Sequence, residues 1–406
     1  MNHIEADYIK QFGGTLMTKG KSIHALVILM FTQFISGGVT NTKGIVLDQV
    51  ENDLGLDMSE FGLVVFIFQL GFTLASLIIG YYTDKKGLRL MTIVGSIIMG
   101  LGFFGTGIAP NILFFLGFYM IVGFGLGALG VASNSIIPVA YPNNQNRMFN
   151  FAMGIYGLGM VVFPQFLNYM FQFASWRYFY IGIAIALIAV IIYITTVAFP
   201  DGKVEKIDLK AFIPMLKDAQ FVFLLFFLMF EVSAEVSFMN FFPSYLKSLD
   251  LGVGTAAKED MVATILSIFS IFFMIGRLGV AYLTNWINER LILITFSAGS
   301  LIMVGAGFLV ATSFPYLFAG AGLFFSTLFP TATAFGTKIS KTGGSALGLI
   351  YIAAGIGGGL AGYIVGVASE IFGMAGGFSV VLIFLALMLL TSFFMNAEKS
   401  NQHQAG

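Results

Sequence analysis

The sequence predicts an all-α membrane protein with twelve transmembrane helices arranged in two six-helix halves. Three observations support this: 58% of the 406 residues are hydrophobic and only 10% are charged, twelve apolar runs are long enough to cross a bilayer, and one long charged joint separates six runs from six. Soluble domains are about one quarter charged. The composition therefore excludes a soluble globular enzyme, a disordered chain and a secreted disulfide scaffold.

The twelve apolar runs are predicted in order along the chain. A bilayer core about 30 Å thick needs about 20 mostly apolar helical residues, and short polar or glycine-rich joints separate the runs. The predicted limits are 24–47, 60–82, 88–109, 112–139, 148–172, 176–198, 221–246, 261–283, 289–311, 314–337, 345–369 and 374–396.

The longest joint divides the chain. Residues 199–220 contain eight charged side chains, which makes this joint the boundary between two bundles. The predicted parts are an N-terminal tail at 1–21, a first six-helix bundle at 22–198, a linker at 199–220, a second bundle at 221–396 and a C-terminal tail at 397–406.

The placement of lysine and arginine predicts the orientation, because loops on the cytoplasmic side are enriched in these residues. With a cytoplasmic N-terminus, three basic residues fall outside: Arg177, Lys247 and Lys258. Fifteen fall inside, namely Lys10, Lys19, Lys21, Lys85, Lys86, Arg89, Arg147, Lys203, Lys206, Lys210, Lys217, Arg290, Lys338, Lys341 and Lys399. We expect both termini and the linker to be cytoplasmic in a cell (cytoplasmic) membrane.

Several residue types that enzymes and metal sites need are scarce. The chain has no cysteine and three histidines, and these lie near the chain ends at His3, His24 and His403. No phosphate-binding loop motif is present, and the formal net charge is zero. We expect no enzyme activity, no cofactor, no metal site and no nucleic-acid partner; the expected partners are the lipid bilayer, a small polar solute and protons, and the protein is expected to be a monomer.

The joint between the second and third runs carries a recognisable motif. It reads Gly80-Tyr-Tyr-Thr-Asp84-Lys85-Lys86-Gly87-Leu88-Arg89. This resembles the Gly-x-x-x-Asp-Arg/Lys-x-Gly-x-Arg loop of the major facilitator superfamily. The resemblance implies the major facilitator fold, transport by alternating access, and a gating role for Gly80, Asp84, Lys85, Gly87 and Arg89. Without it, a channel or a membrane-embedded enzyme would remain an alternative for twelve spans.

A finer resemblance is to the fucose/glucose/galactose–proton symporter family. It rests on these passages: Gly37-Gly38-Val39-Thr40-Asn41, Asn134-Ser135-Ile136-Ile137-Pro138, Glu231-Val-Ser-Ala-Glu235-Val-Ser237, Phe329-Pro330-Thr331 and Gly343-Gly344-Ser345-Ala-Leu-Gly348. The family resemblance implies import of a monosaccharide with protons. The proline-containing element of drug/proton antiporters is absent from the fifth run, which reads Gly154-Ile-Tyr-Gly157-Leu-Gly159.

Glu231 and Glu235 are the predicted proton-coupling residues. At about 1.5 Å per residue they lie about 15 and 21 Å from the inner end of the seventh run, and their i, i+4 spacing puts them on one helix face. Two carboxylates this close and poorly solvated cannot both ionise easily. We expect at least one to bind a proton near neutral pH; the alternative is a purely structural pair.

Lys43 is the one basic residue late in the first run. It can either face a central cavity, where it would hold an anionic substrate or a glutamate of the seventh run, or extend its amine to the outer headgroups. The sugar symporters that the chain resembles use acidic residues on helices 1 and 4, whereas here the matching stretches, 41–44 and 127–130, contain none. Transport of a small organic anion is therefore the alternative function.

Amides, hydroxyls and aromatic faces are suited to hold a sugar ring. The candidate substrate-binding residues are Asn41, Lys43, Asn134, Tyr156, Gln165 and Asn240, with Gln33, Gln69, Asn168 and Tyr351 as further candidates. The alternative is that some of these amides link helices. The sequence thus predicts a proton-coupled importer of a small polar solute, a monosaccharide or sugar derivative, with an organic-anion carrier and, less favoured, a drug/proton antiporter as alternatives.

Overall fold

The computed structural model describes residues 19–134, 136–140, 145–197, 212–283, 287–340 and 343–395. Every regular element in these ranges is a helix, so the predicted all-α class is confirmed. Most of the predicted tails and linker lies outside the described residues.

Within the described ranges, twelve helices correspond to the predicted spans. They are α1 (Lys19–Leu54), α2 (Met58–Lys86), α3 (Leu88–Gly107), α4 (Ile112–Asn134), α5 (Gln145–Met170), α6 (Trp176–Thr196), α7 (Ala219–Ser248), α8 (Thr255–Leu283), α9 (Glu289–Leu309), α10 (Leu328–Ile339), α11 (343–372) and α12 (374–394). Four short helical pieces accompany them: Ile136–Ala140, Phe212–Lys217, Pro315–Gly320 and Ala321–Phe325.

The last apolar stretch contains two spans. Among the described residues, eleven helical stretches are long and apolar enough to cross a membrane, and the last of them, Ala346–Phe394, has 49 residues. Gly373 interrupts it with φ 75° and ψ 165°, a combination that glycine adopts readily because it lacks a Cβ atom. The interruption separates α11 from α12, which gives twelve spans.

Helix α1 is longer than the sequence predicts. It was expected to end at about 47, and it ends at Leu54. The acidic residues Asp48, Glu51 and Asp53, which the sequence analysis leaves outside the span, are helical. Hydropathy marks only the apolar part of a helix, because a polar last turn lowers the mean without breaking the backbone hydrogen bonds.

The tenth span is broken, whereas one continuous run was predicted at 314–337. It consists of a 3-10 helix at Pro315–Gly320, a short helix at Ala321–Phe325, and α10. Pro330 has no N–H and cannot donate to the carbonyl of Ser326 four residues earlier. That carbonyl instead accepts a hydrogen bond from Nε of Arg277 at 3.0 Å.

Helix α2 begins with a reciprocal cap. Asp57 Oδ1 accepts hydrogen bonds from the Glu60 backbone N–H and the Ser59 hydroxyl, both at 2.7 Å, and Glu60 accepts one from the Asp57 N–H at 3.2 Å. This is a capping box. These bonds hold the pKa of Asp57 below its ordinary value. The cap is therefore intact above the ordinary carboxyl pKa and weakens as the pH falls through the lowered one.

The chain forms two compact units. The first contains Met1–Gly37, Leu70–Gly159 and Ser175–Ile207, and the second contains Gly38–Gln69, Met160–Ala174 and Asp208–Gly406. The second unit thus includes the C-terminal part of α1, the N-terminal part of α2 and the end of α5. The predicted domains at 22–198 and 221–396 stay a prediction.

In the first unit, α3 packs against α4 and α6. Glycines allow the close contact with α4: a Cβ atom on Gly102 would lie 2.6 Å from the backbone N of Val122, and one on Gly125 would lie 2.4 Å from Cα of Met99. Small residues at such positions let membrane helices approach closely.

In the second unit, α7 packs against the long α11–α12 segment. The contact is close at Gly357, where a Cβ atom would lie 2.1 Å from the carbonyl oxygen of Met229. Neither backbone can move without separating the two helices. Gly357 therefore fixes the distance between α7 and α11 beside the middle of α7.

We expect Gly357→Ala to lower the stability of the detergent-purified protein by about 2 kcal/mol or more, because overpacking against backbone is costly. The measurement is the thermal unfolding temperature. Gly182→Ala in α6 is the matched control, since no described atom lies within 4 Å of its Cβ position and alanine favours helix. Equal unfolding temperatures for the two variants would contradict this packing.

Candidate functional site

Glu231 and Glu235 lie near the middle of α7. Glu231 is about 18 Å from the first residue of the helix and is fully buried, while Glu235 is partly exposed. Neither carboxyl oxygen of Glu231 has a hydrogen-bond partner among the described residues, and the charge of Glu235, about one turn further along α7, acts on it. The pair thus forms a buried acidic centre with few compensating donors.

Lys43 lies inside the protein. Its side chain is only 8% exposed, and Nζ lies 4.4 Å from the centroid of the Phe68 ring on α2. The neighbouring Gly44 permits contact with α7, since a Cβ atom there would lie 2.5 Å from the carbonyl oxygen of Asn240. The charge of Lys43 acts on Glu235, about one helical turn before this contact.

The burial of Lys43 bears on its two alternatives. With α1 ending at Leu54, the helix continues for eleven residues beyond Lys43, or about 16 Å. The 8% exposure of the side chain puts the ammonium group among protein groups, which favours the alternative in which it faces the interior over the one in which it extends to lipid headgroups.

Arg277 on α8 is the second cation near the acidic pair. Its Nε donates to the Ser326 carbonyl at 3.0 Å, its guanidinium lies 4.5 Å from the centroid of the Phe273 ring, and its charge acts on both Glu231 and Glu235. This role of Arg277 is not among the predictions from the sequence. The sequence feature that indicates such a contact is Pro330. Because proline has no N–H, the carbonyl of Ser326 can accept a hydrogen bond from a donor on another helix.

Two predicted substrate-binding amides already donate hydrogen bonds within the protein. Asn41 donates to the Met160 carbonyl at 2.6 Å and to the Ser270 hydroxyl at 2.9 Å, so it links α1 with α5 and α8. Asn240 donates to the Val236 carbonyl at 2.6 Å within α7. The side-chain oxygens of both asparagines are buried and have no partner among the described residues, which leaves each with an acceptor available.

The other predicted substrate-binding residues have different surroundings. Tyr156 belongs to the first compact unit and is partly buried, Gln165 is exposed on α5, and the side chain of Asn134 lies outside the described residues. Asn41, Lys43 and Asn240 share the second unit with the glutamates. Solute binding by all six residues stays a prediction.

The predicted gating loop is described in part. Helix α2 ends at Lys86, and Gly87, with φ 86°, turns the chain into α3. Arg89 donates to the carbonyls of Ile194 and Thr195 at 3.1 and 2.8 Å, which satisfies the C-terminal end of α6. The backbone of Gly80, Asp84 and Lys85 belongs to α2, and the surroundings of these three residues lie outside what the structure describes.

A second charged group was not predicted. We name it the outer charge cluster, after the predicted orientation, and define it as Asp48, Lys247 and Glu259. Lys247 Nζ lies 2.5 Å from Asp48 Oδ2 and 3.2 Å from Glu259 Oε1, and the Ser244 hydroxyl donates to Asp48 at 3.3 Å. It joins α1, α7 and α8. The predicted limits leave Asp48 after the first run and Lys247 after the seventh, and nothing local relates two residues so far apart in the chain.

Comparison with known proteins identifies the family. The family model described as "Major Facilitator Superfamily" matches residues 29–362. The chain belongs to the Major Facilitator Superfamily. As a member, it is a multi-pass membrane transporter and not an enzyme, and the fold predicted from the sequence is confirmed.

Curated relatives of this facilitator match over part of its length. The "Multidrug efflux pump SdrM" of Staphylococcus aureus (strain N315) is 25% identical over 200 residues, which cover 47% of this chain and 43% of the pump. The "Nitrite extrusion protein" of Bacillus subtilis (strain 168) is 30% identical over 118 residues, or 29% of this chain and 28% of that protein. The matches thus span less than half of either relative.

Solved structures share the facilitator fold over nearly the whole chain. A structure of the nucleoside transporter NupG has a TM-score of 0.76 at 16% identity, covering 91% of this chain and 98% of that one. A structure of the Escherichia coli fucose:proton symporter FucP has a TM-score of 0.62 at 19% identity, covering 93% and 99%. At these identities the likeness shows the fold alone.

Proposed function

We propose that this facilitator imports a small polar solute, a monosaccharide or sugar derivative, together with protons by alternating access. The observation that carries the proposal is that the carboxyl group of Glu231 is buried without a compensating partner in the part of the chain that the structure describes. It is fully buried in α7, one turn before Glu235, and its oxygens have no hydrogen-bond partner among the described residues.

A charged side chain inside a membrane span is energetically unfavourable. An ionisable residue within a span is expensive and is a functional candidate by default. Two neighbouring carboxyl groups with few donors bind a proton readily, since their mutual repulsion and poor solvation disfavour double ionisation. A group that binds a proton in one state and releases it in another is what proton coupling needs.

The remaining parts of the proposal concern membrane placement and gating. We place the protein in the cell membrane as a monomer with both termini in the cytoplasm, on the distribution of lysine and arginine. The loop from Gly80 to Arg89 acts as the gate. The contact between Arg89 and the end of α6 supports this assignment.

Efflux is the second candidate, and the partial match with a multidrug efflux pump favours it. Against it stands the missing proline-containing element in the fifth span. Protection of cells against several unrelated dyes on overexpression would support efflux, and would argue against import of a polar solute.

The test uses the purified protein in liposomes. We expect a labelled panel of neutral sugars, nucleosides and sugar acids to include a solute that accumulates when the interior is alkaline, and a protonophore to abolish that accumulation. Liposomes without protein are the control. Accumulation that persists unchanged with the protonophore contradicts proton coupling.

A further inference from the structure

The ammonium group of Lys43 has no counter-ion in direct contact among the described residues. It is 8% exposed, its Nζ lies 4.4 Å from the centroid of the Phe68 ring, and it has no hydrogen bond or ion pair among the described residues. A ring face is a weak substitute for a carboxylate. All three N–H donors of this buried cation are therefore free to bind an anion.

The charged groups around Lys43 come from two other helices. Glu235 on α7 interacts with the charge of Lys43, and Glu235 in turn interacts with Glu231 on the same helix and with Arg277 on α8. The titratable and charged groups that face this region are thus two acids and, with Lys43 itself, two bases.

Two further helices contribute uncharged groups. Helix α2 contributes Phe68 and Gln69, and α11 contributes glycines beside them. The Cβ position of Gly358 lies 3.2 Å from Cδ of Gln69, and 3.1 Å from the side chains of Val232 and Val236 on α7. Among the described side chains, neither helix adds a charge here, so the four ionisable groups must balance any charge brought in by a solute.

The charges of these four groups balance. With Glu231, Glu235, Lys43 and Arg277 all ionised, the formal sum is zero. A monoanion that binds to Lys43 adds one negative charge to a poorly solvated region, where uncompensated charge is costly. Protonation of one glutamate restores the balance. If the glutamate pair already retains one proton, the sum before binding is +1 and the monoanion brings it to zero. In both cases the balanced bound state has one proton on the pair.

We infer that Lys43 binds the carboxylate of a small monoanionic solute, and that the Glu231–Glu235 pair holds one proton while the anion is bound. The inference rests on the proposed function and narrows its substrate class to carboxylates, among them sugar acids. The buried oxygen of Asn240, close to the Gly44 contact, is placed to accept a hydrogen bond from a hydroxyl of such a solute.

The test measures binding to detergent-purified protein by thermal shift, since a ligand raises the unfolding temperature according to its concentration and affinity. The probes are acetate, L-lactate and D-gluconate, compared with D-fucose and with chloride at equal ionic strength. We expect at least one carboxylate to stabilise the wild type more than chloride does, with a tighter apparent affinity at pH 5.5 than at pH 7.5.

Three variants test whether the carboxylate binds at Lys43. Lys43→Met should weaken carboxylate binding by about tenfold or more, the loss expected for one charge-assisted contact, and Lys43→Arg should retain part of it. Lys338→Met is the matched control, since Lys338 is exposed and pairs with Glu289. Carboxylate binding that is unchanged in Lys43→Met, or equal stabilisation by chloride, overturns the inference.

Proton linkage separates this inference from the proposed function. In weakly buffered alkaline solution, where the pair is more fully ionised, binding of the carboxylate should take up as much as one proton per protein, and Glu231→Gln should reduce that uptake. If only neutral sugars bind, yet they accumulate with protons in liposomes, the carboxylate inference fails and the proposed function stands. If carboxylates bind through Lys43 with the same affinity at pH 5.5 and pH 7.5 and with no proton uptake in alkaline solution, both fail.

Discussion

Replacement of Glu231 or Glu235 with glutamine is expected to abolish solute accumulation driven by a pH gradient. Glutamine keeps the size and hydrogen-bonding shape of glutamate but cannot take up a proton. The expected loss is roughly tenfold or more in the accumulation ratio, since a carrier without its titrating group only equilibrates the solute. Because the two carboxyl groups titrate as a coupled pair, the double variant should lose no more than the more severe single variant.

Counterflow provides the control for this result. Exchange of labelled for unlabelled solute needs no net proton movement, so the single variants should retain it. Glu289→Gln removes a carboxylate that is paired with Lys338 far along the chain from α7, and it should leave accumulation unchanged. If both Glu231→Gln and Glu235→Gln still concentrate solute under a proton gradient, the acidic pair does not carry the coupling.

Replacement of Lys247 with methionine is expected to give the second large effect. It leaves Asp48, which is 5% exposed, without the ammonium group at 2.5 Å. Breaking a buried ion pair from one side costs about 3–5 kcal/mol. Since the Lys247 side chain is 21% exposed, we expect roughly 1–3 kcal/mol and a fall of several degrees in the unfolding temperature.

Two further variants test this interpretation. Lys338→Met breaks an ion pair whose lysine side chain is 67% exposed, and exposed pairs contribute about 0–1 kcal/mol. Asp48→Asn combined with Lys247→Met removes both charges, and should be more stable than Lys247→Met alone because no buried charge is left unpaired. A double variant as unstable as the sum of the single variants would indicate that the two side chains act independently.

The sequence alone determined the class of the protein and its acidic centre. Span length and composition follow from the thickness of the bilayer, so the twelve spans were predicted from local apolar runs. The i, i+4 spacing of Glu231 and Glu235 follows from helix geometry. The motif from Gly80 to Arg89 pointed to the superfamily that the comparison then established.

Helix ends and breaks were less accessible to sequence reasoning. The last turns of α1 are too polar to be counted as part of an apolar run. Because the helix nevertheless continues to Leu54, Lys43 lies well inside the helix and not near its end. The break in the tenth span depends on Pro330, but a single proline does not reveal that Arg277 satisfies the freed carbonyl of Ser326.

Only the tertiary structure decided which distant side chains meet. Asp48 and Lys247 are 199 positions apart, and Lys43 reaches the region of Glu235 because Gly44 lets α1 approach the backbone of α7. Hydropathy and helical spacing are local properties that depend on a few neighbouring residues. Contacts between helices depend on how small residues, such as Gly44 and Gly357, set the distance between backbones, and packing of that kind is fixed by all the helices together.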